Sequence, residues 1–345
     1  MQPLKFALVG LDHWYNGFPM LQAITSSSQA ELRWVVGANE ERAQAVAEQY
    51  HAPRYATDYE KVLKDPQVDV VTCFVSSDRS AELCIAAAEA GKHIISIKPM
   101  AMNLDQADRV VEAVNRAGIK YFPGAGSHLF FAGNQAFKKW IDEGRIGKLV
   151  AASSMFHASL PRDWPDSSVP GWFADPKRVP GGAWIDHAIF YLQVFRSYFE
   201  AEIAQVRGVT ANLKYTDLEL EDFGQGILTF DNGAVATITA SWLGTRGANR
   251  QGLKFHGTEG TLVWDSLLNK VAVAGRFSEE LSGWIQIARP SEPVSRTVSM
   301  IEHLIECIRK DCTPVCTVQD DRATLAAALA FYEAARTHQD VAPRA

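Results

Sequence analysis

No apolar run in this sequence approaches the roughly 20 residues that a membrane-spanning helix requires, so no bilayer partner is expected. A basic stripe is missing as well. Lysine and arginine are scattered between acids and the formal net charge is -6, which argues against binding along the phosphates of a nucleic acid. The opening MQPLKFALVG has no charged n-region, apolar h-region and small-residue cleavage site, and a cytoplasmic protein is expected. Cysteines are few and odd in number. Cys73, Cys84, Cys307, Cys312 and Cys316 fit reduced thiols better than a disulfide framework. The last three do not read as a zinc cluster, because Cys307 lies in the helical pattern IEHLIECIRK while Cys316 follows Pro314 in a separate segment; no metal is expected. Repeats and low-complexity tracts are absent too.

What remains is a chain of 345 residues, 47% apolar and 21% charged, too long for a single small core and ordinary for a globular protein. Its first third alternates short apolar runs with amphipathic ones. KFALVGL is followed by a loop DHWYNG, LRWVVGA by the helix EERAQAVAEQY, VDVVTCFV by AELCIAAAEAG, and HIISI by LDQADRVVEAVNRAG, with YFPGAG as a further strand. Continuous apolar strands separated by helices predict a parallel sheet buried on both faces. After about Gly124 the pattern changes to a helix, FAGNQAFKKWIDEGRIGKL, and then to strand-like segments joined by turns, with DNG in LTFDNGAVATI a hairpin signal. The fold class is therefore α/β: a doubly wound, parallel-sheet domain over 1–123, and a second α/β domain over 124–345 with a large, open, mainly antiparallel sheet. Two final helices are expected to pack back on the first domain. The long irregular stretch SLPRDWPDSSVPGWFADPKRVPGG reads as a flap over the substrate or as a plain surface excursion.

Taken in order, AEAGKHIISIKP, IDEGRIGKLV, PGGAWID, EDFGQGILTFDNGAVATI and GTEGTLVWD resemble the Gfo/Idh/MocA family, that of glucose-fructose oxidoreductase and inositol dehydrogenase. The resemblance covers nearly the whole chain and implies a Rossmann domain binding NAD or NADP, a carbohydrate-like small-molecule substrate, and a homodimer or homotetramer paired through the open sheet. It also implies a Glu-Lys-Pro motif and a later Asp-x-x-x-His pair around the carbon that exchanges hydride. Lys98, Pro99 and Asp186 match those motifs, whereas Ile97 replaces the glutamate and Phe190 the histidine. A phenyl ring cannot transfer a proton. The base must come from elsewhere: from His187 beside Asp186, from His157 or His128, or from Lys98 itself if burial lowers its pKa.

The cofactor motif is altered too. A dinucleotide fingerprint needs G-x-G-x-x-G, and here Gly10 is followed by Asp12 and His13, placing a carboxylate where a diphosphate is expected. The second strand ends in Gly37, Ala38 and Asn39, without a ribose-binding acid, although Asn39 and Arg42 could substitute in part. Ser76 and Ser77 after the third strand could bond phosphate or ribose. Trp164 and Trp172, with Phe190 and the three histidines, are candidates to line the substrate site, since indoles stack on sugar rings as readily as they fill cores. The reading that follows is an NAD(P)-dependent oxidoreductase acting on a secondary alcohol of a sugar, polyol, inositol or sugar acid. A non-redox lyase or hydrolase, or a non-catalytic binding protein, are the alternatives on the same scaffold.

Overall fold

A computed structural model of the chain describes residues 2–268, 270–276, 282–288 and 293–344. They form two compact units. The first comprises Met1–Ser127, Arg162–Pro180 and Pro293–Leu325, and the second His128–Pro161, Gly181–Glu292 and Ala326–Ala345.

In the first unit the chain runs through β1 (Leu4–Val9), α1 (Trp14–Ser26), β2 (Ala30–Val36), α2 (Glu40–Gln49), β3 (Arg54–Ala56), α3 (Glu60–Leu63), β4 (Val70–Cys73), α4 (Ser77–Glu89), β5 (His93–Ser96), α5 (Leu104–Ala117) and β6 (Tyr121–Phe122). The six strands pair in parallel in the order β3-β2-β1-β4-β5-β6. Val70, Val71, Thr72 and Cys73 are all buried. Four consecutive buried residues mean that both faces of the sheet are covered, as the unbroken apolar runs required. The strand order reverses between β1 and β4, and ligands of open α/β sheets bind at such a switch point. Helix ends follow local chemistry: the Asn103 side chain accepts the Gln106 N–H at 2.9 Å to open α5, and Gly118 closes it at φ 65°. One expectation needs correction. DHWYNG is not a loop, because only Asp12 and His13 form the turn and Trp14 already opens α1.

The second unit contains α6 (Ala132–Asp142), β7 (Leu149–His157), α7 (Ala183–Phe199), β8 (Ile203–Ala211), β9 (Phe223–Phe230), β10 (Val235–Ser241), β11 (Arg250–Gly257), β12 (Gly260–Asp265), β13 (Lys270–Arg276) and β14 (Ser282–Ala288). The eight strands run in the order β14-β13-β12-β11-β7-β10-β9-β8, antiparallel throughout except where β7 meets β10. The DNG signal is the β9–β10 turn, with Gly233 at φ 85°. α7 packs on β7, β9 and β10 and fixes the inner face of the sheet. Glycines make the floor for it. A Cβ at Gly226 would lie 2.6 Å from the Trp184 indole, and one at Gly208 would lie 2.3 Å from the Phe331 ring. Those two rings stack at 3.6 Å, so the glycines exist in these strands to admit aromatics.

The chain closes with α8 (Pro293–Lys310), which packs on α1, and α9 (Val318–Thr337). Among the described residues no helix is long and apolar enough to cross a membrane.

Candidate active site

The first unit gathers one set of candidates at the carboxyl ends of β1 and β4. Gly10 has φ 100°, and a Cβ there would sit 2.5 Å from both Phe74 C and Val75 N, so only glycine lets the two loops approach this closely. One oxygen of Asp12 collects the donors of the opposite loop. Oδ2 accepts the Ser76 N–H at 2.9 Å, is bonded by the Arg79 guanidinium, and lies 3.7 Å from an Arg178 nitrogen. Arg178 also donates to Ser76 Oγ at 2.8 Å and lies 3.7 Å from Asp78. The buried Ser77 hydroxyl has no hydrogen-bond partner among the described residues. A backbone N–H ahead of α4, two guanidiniums and two serine hydroxyls suit the diphosphate of a dinucleotide, and the Gly10 turn supplies the close approach such a group needs. The residues present therefore fit the cofactor, on condition that Asp12 gives up its place.

The Pro/Gly-rich stretch contributes to this same unit through Arg162–Pro180. Trp14 Nε1 donates to the Arg162 carbonyl at 3.0 Å, and Trp172 Nε1 to the Asp12 carbonyl at 3.1 Å. His13, fully buried, lies with ring centroids 4.8 Å from Trp172 and 5.3 Å from Phe173. Trp164 packs edge-on to Phe18 and lies 4.5 Å beneath the Arg42 guanidinium, which in turn is 3.5 Å from Asp163. Trp172 thus sits against the Asp12–His13 turn, and Trp164 against residues of α1 and α2. Asn39 is a helix cap: its side chain accepts the Arg42 N–H at 2.8 Å. Lys98 is 2% exposed, joined to Pro99 by a cis peptide, with Nζ 4.8 Å from the Phe173 ring. A cation over an aromatic face keeps its charge at less cost than in bare hydrocarbon.

In the second unit α7 carries the candidates Asp186, His187 and Phe190. Its N-terminus is held by a residue that motif reading does not single out. Glu221 accepts the N–H groups of Gly182 and Trp184, each at 2.9 Å, and the Tyr332 hydroxyl at 2.8 Å. Burial pushes its carboxyl up to about 7, against the pull of these donors. One turn on, Asp186 Oδ2 accepts Trp242 Nε1 at 2.9 Å and stands 3.4 Å from His187 Nε2. The His187 ring is stacked on Phe156 at 4.1 Å and is 6% exposed. The two neighbouring side chains meet at one carboxylate oxygen even though adjacent helical positions diverge by about 100°.

Phe190 lies flat against His128, with centroids 4.1 Å apart and planes 6° from parallel. An imidazole therefore faces the residue that replaces the expected histidine. His157 bonds Ser241 Oγ at 2.7 Å through Nδ1, and burial lowers its pKa. Trp184 and Trp242 are fully buried, Trp184 as core and Trp242 as the donor to Asp186. Among the described residues no three His, Cys, Asp or Glu side chains gather as a metal cage. Arg79, Arg178 and Glu221 are the residues of this arrangement that sequence reasoning missed; only the position of Arg178 in the long irregular stretch hinted at any of them.

Comparison with known proteins identifies the family. Residues 4–125 match the oxidoreductase family with an NAD-binding Rossmann fold, and residues 134–263 match the GFO/IDH/MocA C-terminal domain. The chain is 27% identical over 332 residues to 1,5-anhydro-D-fructose reductase of Ensifer adhaerens, covering 92% of this chain and 96% of that one. It is 27% identical over 311 residues to scyllo-inositol 2-dehydrogenase (NAD(+)) of Bacillus subtilis, covering 89% and 87%. Among solved structures, levoglucosan dehydrogenase in complex with NADH and L-sorbose superposes over 100% of both chains with a TM-score of 0.90 at 21% identity, a likeness of fold. With both of its domains matched, the chain belongs to the Gfo/Idh/MocA family of NAD-binding oxidoreductases.

Proposed function

We propose that this protein is an NAD(P)-dependent oxidoreductase acting on a secondary alcohol of a sugar, polyol, inositol or sugar acid. Residues 1–123, joined by Arg178 of the Arg162–Pro180 segment, would hold the dinucleotide, and the rest of 124–345 the substrate. The observation that carries the reading is the proximity of the buried His187 imidazole to the Asp186 carboxylate, Nε2 lying 3.4 Å from the oxygen that Trp242 fixes, an arrangement that brings a candidate base beside an acid able to orient it. The similar anhydrofructose reductase and inositol dehydrogenase support the substrate class.

Oxidising a secondary alcohol removes a hydride from carbon and a proton from oxygen. When bound, the nicotinamide accepts the hydride. His187 is the residue assigned to take the proton, and Asp186, 3.4 Å from its Nε2, lies close enough to offset the charge of the imidazolium that forms. Trp242 keeps Asp186 from rotating away, and Phe156 limits the ring to one plane. Lys98 is the lysine of the family motif, an ammonium of the kind that stabilises developing alkoxide charge. Arg79, Arg178, Ser76 and Ser77 are the residues that would hold the diphosphate.

The same reading places the protein in the cytoplasm, in keeping with five cysteines that form no disulfide, as a homodimer or homotetramer. Val209, Ile227 and Val235 are exposed by 55%, 48% and 41% on the open face of the eight-stranded sheet, where pairing would cover them.

The test is turnover of a sugar and polyol panel with NAD+ and NADP+. His187→Gln is expected to lower kcat by about 10²- to 10⁴-fold, the usual worth of a positioned base, with dinucleotide affinity unchanged. Full activity in that variant, with loss in His128→Gln, would move the base to the imidazole stacked on Phe190.

A further inference from the structure

The Arg162–Pro180 strap runs over the loops assigned above to the dinucleotide, and its hold there is electrostatic as well as aromatic. Asp12 Oδ2 is the centre of that hold. It takes the Ser76 N–H, the Arg79 guanidinium and, at 3.7 Å, Arg178 of the strap, while Trp172 of the strap donates to the carbonyl of the same residue. The charges around this point already balance: Arg79 and Arg178 face Asp12 and Asp78. A diphosphate brought in beside them would leave negative charge in excess at contact distance, where each pair costs on the order of kcal/mol. Asp12 is the group able to leave. It lies in the two-residue turn before α1 and its side chain is 21% exposed, so rotation to solvent needs no unfolding, whereas Asp78 is in the first turn of α4.

We propose that Asp12 is an internal stand-in for the dinucleotide's diphosphate. The cofactor binds by exchange against this carboxylate and takes over Ser76 N–H, Arg79 and Arg178 as its ligands. The inference rests on the dinucleotide reading but adds to it. Affinity is set by a competition within the protein, and the strap, through Arg178, changes its anionic partner from protein to cofactor. This accounts for an acid at the second glycine position of the fingerprint without requiring that the site be lost.

The test is calorimetric titration of the full chain with NADH, NADPH and inorganic pyrophosphate, for the wild type, Asp12→Asn and Arg178→Gln. Asparagine keeps the shape and an acceptor for Ser76, and thermal unfolding of each variant verifies the fold. Asp12→Asn is expected to bind both the preferred dinucleotide and pyrophosphate about tenfold more tightly or better, and Arg178→Gln to bind both more weakly. Wild-type binding of dinucleotide with no gain in Asp12→Asn would overturn the exchange and leave the redox reading standing. A gain for pyrophosphate, with no dinucleotide bound by any variant, would overturn the redox reading and with it the exchange against a dinucleotide. Absence of binding by every variant to every probe would overturn both.

Discussion

Glu221 is the residue whose charge state most directly reaches α7. Its carboxyl is raised from 4.5 to about 7 by burial, so the folded protein binds a proton there that the unfolded chain has already released at neutral pH. For an acid raised in the folded state, the stabilising contribution is present below the unfolded pKa and is lost as pH rises through the folded one. Thermal stability is therefore expected to fall between pH 4.5 and 7 by an amount on the order of 3 kcal/mol from this group, and to be flat from this group above that window. Glu221→Gln should lack that slope, and melting curves across the window check it. A buried acid under the N–H groups of Gly182 and Trp184 was not legible in sequence, because its meaning lies in a contact 39 residues away. Lys98 and Asp186 were legible, since motif order marks them. Phe190 was legible only as a loss, while the imidazole of His128 that stacks on it comes from a different segment.

Elements show the same division between what local pattern encodes and what tertiary contact decides. The parallel strands announced themselves by unbroken apolar runs, and the β9–β10 hairpin by DNG. The start of α1 was misread because Asp12, His13 and Asn16 look like turn residues. In the fold the turn is only two residues long, and aromatic packing on His13, Trp14 and Tyr15 carries the helix further back. The strap was visible as a proline- and glycine-rich stretch, but not its attachment to the Asp12 loop, which no spacing encodes. Glycines in β8 and β9 carry a prediction at this scale. Gly226→Ala places a methyl 2.6 Å from the Trp184 indole, so it should cost about 1–3 kcal/mol of unfolding free energy by overpacking, measurable by denaturant titration. Gly233→Ala meets no atom within 4 Å; its cost is confined to the φ of 85°.

At the scale of the whole molecule, the two-part architecture was readable from the change of pattern after Gly124, but the interleaving of Arg162–Pro180 and Pro293–Leu325 into the first unit was not. Chain order does not reveal which core a returning segment joins. The proposed assembly has its own check: light scattering at micromolar concentration is expected to show a dimer or tetramer, and Ile227→Lys with Val235→Lys to shift it toward monomer by desolvating charge at the covered face. A monomeric wild type would remove the pairing role from that sheet. One more consequence follows from the place of β7 in the middle of the eight-stranded sheet, flanked by β10 in parallel and β11 antiparallel. Neither neighbour has been synthesised when β7 leaves the ribosome, and the first, beginning at Val235, is roughly 80 residues behind, about 4–16 s at ordinary elongation rates. During that wait both rims of the strand lack their partners, and they are paired only when Ser241 and then Gly257 have emerged.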